Sequence, residues 1–371
     1  MKAKKMPRET HPAVLRQAVL RKLPPRIDTK GEIALPCVPA LADQYAEKLL
    51  GIFALLGRKF NEPEAHKLRE ILDRWLEHGW AQSPHTRLVV RYKTEPPPIS
   101  TISYNVSVEV VTVADEYERW TGPRTTALFG AFPDAKVMAL ARAQGEPPST
   151  PILDIGAGTG RNALPLAQAG FPTDAVEIAP ALANILRDEA RLAGTGVRVF
   201  EGDATDGTLD LPKNHYGLVV IAEVVSSHIY DLDHLRRLFE VVAAALRPGG
   251  CVLFNAFLAM EGYRPDALAR QLGLVALCSI FDRQDLDKTM AALGLHKVDE
   301  VSTLRYEKEH LPAEAWPPTE WFEDWSSGRN VFDLPRGRAP IDLRWLTYRR
   351  QGEPKNHVEP GTRTGPPVGD G

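Results

Sequence analysis

Three glycines at alternate positions carry the strongest chemical signal of the sequence. Residues 151–155 are apolar enough for a buried strand and residues 162–169 have a helical pattern, so Gly156, Gly158 and Gly160 lie in a strand-to-helix turn. Glycine lets the backbone turn sharply and approach a ligand closely, and free N–H groups at a helix start attract polar groups. The turn predicts a cofactor site.

Acidic residues accompany this turn at the ends of successive strand-like segments. Asp154 lies two residues before the first glycine, and Glu177 closes the second strand-like segment. A carboxylate such as Glu177 can accept hydrogen bonds from both ribose hydroxyls. The third segment ends at Asp203 and Ala204. The carboxyl ends of strands in a doubly wound sheet border one ligand crevice, so we expect these residues to lie together.

A dinucleotide site is the main competitor for such a turn. Its fingerprint needs glycine at the first, third and sixth positions, and the sixth position counted from Gly156 is Arg161. NAD is therefore disfavoured as the cofactor, although an NAD-dependent oxidoreductase stays open as an alternative.

Taken together, Asp154-x-Gly156-x-Gly158-x-Gly160 resembles the first signature of class I S-adenosylmethionine-dependent methyltransferases. The turn Leu246-Arg247-Pro248-Gly249-Gly250 is similar to the one before the fifth strand of that family. The resemblance implies that Asp154 helps hold the methionine amino group, Glu177 the ribose and Asp203 the adenine amino group. The cofactor-binding residues that it implies are Asp154, Gly156, Ala157, Gly158, Gly160, Glu177, Ile178, Asp203, Ala204 and Glu223.

The resemblance also implies an α/β fold with a Rossmann-like, seven-stranded, doubly wound and mostly parallel sheet. The alternation of apolar runs and helical patterns agrees with it. We predict strands near 151–156, 173–178, 197–202, 216–224, 250–258, 296–306 and 341–350, and helices near 133–143, 161–170, 180–193, 231–246 and 282–293.

Three regions are expected along the chain. Residues 1–130 predict an N-terminal α+β accessory region with a basic arm, two helices and a β-hairpin. Residues 131–351 are predicted to form the methyltransferase domain. Residues 352–371 contain nine Gly or Pro and predict a disordered tail. The arm, residues 1–26, has eight Lys or Arg against one acid and no aromatic residue, which favours a solvated arm over one that binds nucleic acid.

Substrate-facing residues should follow the fourth and fifth strands, because the ligand crevice lies beyond the carboxyl ends of the strands. Glu223, Ser226, Ser227 and His228 meet this condition. His228 is the candidate catalytic base, since an unperturbed imidazole titrates near neutral pH. A packing or capping histidine is the alternative, and methyl transfer by in-line attack does not require a strong base.

A late segment concentrates aromatic side chains. Two interpretations stay open: the segment covers an edge of the sheet, or it forms a wall of the substrate pocket. Its aromatic residues are Trp316, Trp321, Phe322, Trp325 and Phe332.

Composition narrows the function classes. The formal net charge of −3 predicts no general attraction to nucleic acid, and no apolar run reaches the roughly 18 residues of a membrane span. Cys37, Cys251 and Cys278 are too widely spaced for a zinc site and fit a reducing cytoplasm. We therefore expect a cytoplasmic protein with no metal and no membrane contact.

The methyl acceptor is expected to be a small molecule, with a protein side chain as the second choice. Methyltransferases that act on exocyclic base amines carry an Asn-Pro-Pro-Tyr type of segment after the fourth strand, and this chain has residues 222–226, Ala-Glu-Val-Val-Ser, there. A subunit that binds S-adenosylmethionine without transferring its methyl group is the remaining alternative.

Overall fold

The structure is a computed structural model that describes residues 8–22, 28–95, 101–112, 115 and 130–352. Its contacts group these residues into two compact units. The first comprises the described residues up to 115 with Ala259–Ile280 and Gly328–Pro340. The second comprises residues 130–258, Phe281–Ser327 and residues 341–352. The domain boundaries at residues 130 and 351 stay a prediction, and the two inserted segments were not foreseen.

The second unit is built on one large sheet. Seven strands follow the order β10-β11-β8-β7-β4-β5-β6, and a two-residue strand, β9, pairs with β8. The pairs β4/β5, β4/β7, β5/β6 and β7/β8 are parallel, whereas β10/β11 is antiparallel. This confirms the predicted Rossmann-like, mostly parallel sheet. The strands are β4 Ile152–Ile155, β5 Thr173–Glu177, β6 Arg198–Glu201, β7 Tyr216–Ile221, β8 Leu246–Ala259, β9 Ile280–Phe281, β10 Leu295–Ser302 and β11 Ile341–Arg350.

Helices cover both faces of this sheet, which explains why all residues of β4 and β7 are buried. On one face, Leu235 and Leu286 join a core with strand residues such as Val219; on the other, Val137 and Leu166 pack with Leu218. The helices of this unit are α4 Ala135–Ala143, α5 Ala163–Gln168, α6 Pro180–Leu192, α7 Val225–His228, α8 Leu232–Ala245, α10 Arg283–Ala292, α11 Thr303–His310 and α12 Phe322–Ser326.

The strand order reverses direction around β4. The chain runs from β4 through β5 to β6 on one side and returns to β7 and β8 on the other. Such a switch point opens a crevice at the carboxyl ends of the strands. The glycine turn directly follows β4 and therefore borders this crevice.

Two predicted strands are too long, since β7 ends at Ile221 rather than near residue 224 and β10 ends at Ser302 rather than near residue 306. Residues 303–306, predicted as strand, begin helix α11 instead. The buried residues of α11 are Thr303 and Glu307, spaced four apart as on one helix face. Because one of them is charged, hydrophobic periodicity does not reveal this helix.

The first unit is an antiparallel sheet with helices against one face. Its strands are β1 Lys30–Pro36, β2 Arg87–Thr94 and β3 Ile102–Glu109, in the order β1-β2-β3. The two strands of the predicted hairpin are present as β2 and β3, which pair antiparallel. The third strand, β1, was not predicted, because it offers only a short alternating pattern. The helices are α1 Pro12–Lys22, α2 Ala42–Leu55, α3 Glu62–Trp80 and α9 Ala267–Val275.

Apolar residues from α2, α3 and the sheet form the core of this unit, among them Phe53, Leu72 and Val90. Of the predicted basic arm, residues 12–22 form α1, whereas residues 1–7 and 23–26 lie outside the described residues. Residues 353–371 of the predicted tail also lie outside them.

Within the described part of the chain, no helix has both the length and the apolar character needed to cross a membrane. The three cysteines are buried and free.

Candidate functional site

The glycine turn has a backbone that other residues resist. Gly156, Gly158 and Gly160 have φ angles of +75°, +57° and +99°. A Cβ on Gly156 would lie 2.2 Å from Cγ2 of Val224, and one on Gly160 would lie 2.5 Å from Cδ1 of Leu186. The turn therefore depends on glycine both for its conformation and for its close packing.

The Glu177 carboxylate braces this turn from the end of β5. Its Oε2 accepts the Gly158 N–H at 2.7 Å, and its Oε1 accepts the Ala179 N–H at 2.9 Å. The side chain is buried, and burial raises the pKa of Glu177 although both backbone donors act to lower it. Each carboxylate oxygen has a second lone pair, so Glu177 can still accept bonds from a ligand's hydroxyl groups.

Asp154 is the most strongly perturbed acid of the site. It is buried in β4, and among the described residues its Oδ2 has no hydrogen-bond partner. Burial raises the pKa of Asp154 to about 7; Arg161 counteracts this, while the charges of Asp134 and Glu177 add to it. A buried carboxylate oxygen without a donor is costly, so this atom marks a place for a polar or cationic ligand group.

Residues at the ends of β5 and β6 lie beside the turn. Glu177 and Glu201 are register partners in these parallel strands, which brings Ile178 and Asp203 to the same edge. Ile178 is 39% exposed, an unusual position for a large apolar side chain next to a buried acid. The Oδ1 atom of Asp203 accepts both the backbone N–H and the hydroxyl of Thr205. Ala204 is buried behind it.

Glu223 adopts a backbone conformation that is rare for a residue with a side chain. Its φ angle is +63°, and its N–H donates to Oδ1 of Asn255 at 2.8 Å. The hydroxyl of Ser226 donates to the same oxygen at 3.2 Å. Asn255, on β8, thus holds the segment that follows β7. Burial raises the pKa of Glu223 to about 7, with Arg161 acting in the opposite direction.

Arg161 joins the turn to two acids. Its Nη1 donates to Oδ1 of Asp134 at 2.5 Å, and its Nη2 donates to Oε1 of Glu223 at 3.0 Å. The Arg161 and Asp134 side chains are only 10% and 4% exposed, so this is a buried ionic network. Asp134 and Glu223 raise the pKa of Arg161 and keep it charged.

The candidate base His228 lies at the end of the short helix α7 and is partly buried. Ser226 and Ser227, which precede it, are buried, and the Ser226 hydroxyl is engaged by Asn255. The structure places His228 on the segment that follows β7, at the carboxyl edge of the sheet. Its role as a base stays a prediction.

The aromatic segment divides between the two units. Trp325 packs edge-on against Phe257 of β8 at 5.3 Å, and Trp321 packs against Trp325 at 5.6 Å. Since β8 is an interior strand, this contact does not cover an edge of the sheet. Phe332 belongs to the first unit, where its ring contacts Tyr263.

Two residues of the site, Asp134 and Asn255, were not foreseen from the sequence, nor was Glu307, which binds the start of the helix that follows Asp134. Asn255 had a visible signal, because it is a lone amide inside the apolar run of residues 251–260. Asp134 and Glu307 are distant in sequence from the turn and stand in no recognisable motif. Arg161 was weighed only as a residue that excludes a dinucleotide.

The residues fit the cofactor that the resemblance implies. Asp154 provides an unpaired buried oxygen for an ammonium group, Glu177 has acceptor capacity for hydroxyl groups, and Ile178 exposes an apolar side chain suited to a purine ring. Among the residues that the structure describes, no group of three or more His, Cys, Asp or Glu side chains is placed to hold a metal ion.

Comparison with known proteins identifies the segment that carries this site. Residues 152–250 match a family model described as a methyltransferase domain. A search of curated proteins finds no significant match to the chain.

Several solved structures are similar in fold at low sequence identity. A geranyl diphosphate C-methyltransferase from Streptomyces coelicolor A3(2) is 17% identical over 65% of this chain and 98% of its own, with a TM-score of 0.45. A geranyl diphosphate methyltransferase solved with GPP and sinefungin is 20% identical over 58% and 78%, with a TM-score of 0.45. The YcgJ protein from Bacillus subtilis is 17% identical over 59% and 98%, with a TM-score of 0.42.

Proposed function

We propose that this chain, which belongs through residues 152–250 to the class I S-adenosylmethionine-dependent methyltransferase family, transfers a methyl group by in-line displacement to an oxygen or nitrogen nucleophile of a small molecule. The observation that carries the proposal is the unpaired, buried Asp154 Oδ2 beside a turn braced by Glu177. The three buried free thiols support a reducing compartment, the cytoplasm expected from the sequence.

Each acid of the site has a distinct task under this proposal. Asp154 binds the ammonium group of the cofactor, Glu177 accepts bonds from the ribose hydroxyls, and Asp203 accepts one from the adenine amino group. Ile178 packs against the purine ring, and the glycine turn lets the backbone approach the ligand. When bound, S-adenosylmethionine supplies a methyl group activated by a sulfonium centre.

The rest of the site aligns the methyl acceptor. Glu223 and His228 follow β7 at the carboxyl edge of the sheet, so both are candidates to accept a proton from an oxygen or nitrogen nucleophile. The hydrogen bond that the Glu223 N–H donates to Asn255 fixes the backbone of Glu223, which limits the motion of this segment. Orientation of this kind is the main contribution that a protein makes to an in-line displacement.

The proposal is tested by incubating the chain with S-adenosylmethionine and fractionated metabolite extracts and measuring release of S-adenosylhomocysteine. We expect release that depends on a small-molecule fraction. Release that requires a protein fraction would favour the protein methyltransferase, and tight cofactor binding without any release would favour the non-catalytic subunit.

Variants locate the activity in the site. Asp154→Ala, Gly158→Val and Glu177→Ala should each weaken cofactor binding while the chain remains folded. Glu201→Ala is the matched control, because Glu201 is the register partner of Glu177 but faces Arg187 at the surface with a side chain 39% exposed. Equal affinity in all four variants would contradict the assignment of the site.

A further inference from the structure

Asp134 occupies the N-cap position of helix α4, but its side chain does not cap that helix. It occupies the position before α4, and aspartate there usually accepts a bond from the first turn. The structure shows no such bond. Instead Glu307, on α11, accepts the N–H groups of Ala135 and Lys136 at 2.7 and 3.2 Å. Because Glu307 binds these N–H groups, the Asp134 carboxylate can bind residues that follow the glycine turn.

At the turn, both carboxylate oxygens and the backbone N–H of Asp134 form hydrogen bonds. Its Oδ1 accepts from Arg161, and its Oδ2 accepts from Nδ2 of Asn162 at 2.9 Å. Its own N–H donates to Oδ1 of Asn162 at 2.9 Å. Asp134 is 3% exposed, so these bonds form out of contact with solvent. A residue outside the segment matched by the family model therefore fixes both residues that follow the third glycine.

The position of Arg161 determines which of the neighbouring carboxylates form an ion pair with its guanidinium. Its guanidinium forms ion pairs with Asp134 and Glu223, and none with Asp154. The charge of Arg161 still acts on Asp154: Arg161 lowers the pKa of Asp154, while Asp134 raises it. Asp134 and Glu223 both pair with Arg161, and Oδ2 of Asp154 stays without a donor among the described residues.

We propose that Asp134 is a positioning residue of the cofactor site, which holds Arg161 against Glu223 and so prevents the guanidinium from neutralising Asp154. The inference rests on the proposed function, in which Asp154 receives the ammonium group of S-adenosylmethionine. Asp134 touches no ligand in this account. It acts by keeping the Asp154 carboxylate available to pair with the ammonium group of the ligand.

The substitution Asp134→Asn tests the proposal with little change in shape. The amide removes the charge that competes for Arg161, which leaves Glu223 and Asp154 as its charged partners. We expect the dissociation constant for S-adenosylmethionine to rise by at least about tenfold, as when one partner of a buried charge pair is lost. Binding of 5′-methylthioadenosine, which lacks the methionine amino acid moiety, should stay within about twofold, since this probe makes no demand on Asp154.

Glu307→Gln is the matched control, because Glu307 binds the same helix start and accepts its hydrogen bonds from Ala135, Lys136 and Trp345, whereas the ion pairs of Arg161 are with Asp134 and Glu223. A merely structural role for Asp134 predicts that both variants lower the melting temperature and affect the two ligands alike. Our proposal predicts that only Asp134→Asn separates S-adenosylmethionine from 5′-methylthioadenosine in calorimetric titrations.

A second substitution tests the part played by Arg161. In the Asp134→Asn background, Arg161→Gln removes the competing cation and should restore part of the affinity for S-adenosylmethionine, giving a coupling energy in the double-mutant cycle. Additive losses would overturn the proposal, as would unchanged affinity in Asp134→Asn or an equal loss for both ligands. If the unsubstituted chain binds 5′-methylthioadenosine but not S-adenosylmethionine, the proposed function fails instead.

Discussion

Asp154 combines burial, a raised pKa and an unpaired oxygen, and this combination makes cofactor binding sensitive to pH. The pKa of Asp154 is raised to about 7, so a large fraction of the free protein carries this group protonated below neutral pH. A cationic ligand binds the ionised form, and binding below pH 7 must then release a proton.

We therefore predict that S-adenosylmethionine binds up to about tenfold more weakly at pH 6 than at pH 7.5, a range in which an α-amino group remains largely protonated. Calorimetry in buffers of different ionisation enthalpy should detect the released proton. Asp154→Asn is the control and should bind weakly with a flatter pH dependence. An affinity that does not change with pH in the unsubstituted chain would contradict the role of Asp154.

The close packing of the first glycine supplies a steric prediction. A methyl group at position 156 would lie 2.2 Å from the Val224 side chain, and the φ angle of +75° is itself unfavourable for alanine. Gly156→Ala should therefore weaken cofactor binding and lower stability by about 1–3 kcal/mol.

Val224→Ala in the same chain relieves the contact but not the backbone strain. We expect it to recover part of the lost stability in urea unfolding, whereas Val224→Ala alone should be destabilising. No recovery in the double variant would show that the backbone conformation, and not the contact with Val224, limits this position.

At this scale the sequence predicted the residues that form a local motif and missed those that do not. Asp154, the glycines and Glu177 follow from spacing along the chain. Asp134 and Asn255 reach the same site from distant positions, and a single acid or amide has no pattern that identifies its partner. Their roles depend on tertiary contacts such as the bond between Asp134 and Arg161.

Among the elements, helix α4 has the least usual start. Its first N–H groups are bound by Glu307, whose other donor is Nε1 of Trp345 at 2.9 Å. Burial raises the pKa of Glu307 to about 7, with the charge of Asp134 adding to the effect. The carboxylate thus links α4, α11 and β11 at a buried point.

We predict that Glu307→Gln destabilises the chain by about 1–3 kcal/mol at pH 8, because an amide has one acceptor oxygen for three donors. The loss should grow toward pH 6. The folded-state pKa of Glu307 is raised, so its proton is bound more tightly in the folded state; the resulting stabilisation is present at low pH and is lost as the pH rises through about 7. Chemical unfolding at both pH values measures this, and an equal loss at each would contradict it.

Two of the elements that were missed, helix α11 and strand β1, lack an apolar buried face. Helix α11 has Glu307 at a buried position, and β1 is a short alternating segment without a strong apolar face. Hydrophobic periodicity identifies elements whose buried side is apolar. It succeeded for β4, β7 and α8, where the buried residues are mostly apolar.

At the scale of the whole molecule, the mostly parallel pairing of the main sheet could be predicted, because each parallel strand needs a crossover and the strands alternate with helices along the chain. The grouping of Ala259–Ile280 and Gly328–Pro340 with the first unit could not, since it depends on contacts between segments far apart in sequence. One such contact is the bond from the Ala40 N–H to Oε1 of Gln271 at 2.8 Å.

The most direct test of the account is a pair of calorimetric titrations of the unsubstituted chain at pH 7.5, one with S-adenosylmethionine and one with NADH. The glycine turn with Arg161 at its sixth position, the unpaired Asp154 oxygen and the Glu177 brace predict one site for S-adenosylmethionine and no binding of NADH. Binding of NADH without binding of S-adenosylmethionine would contradict the central claim.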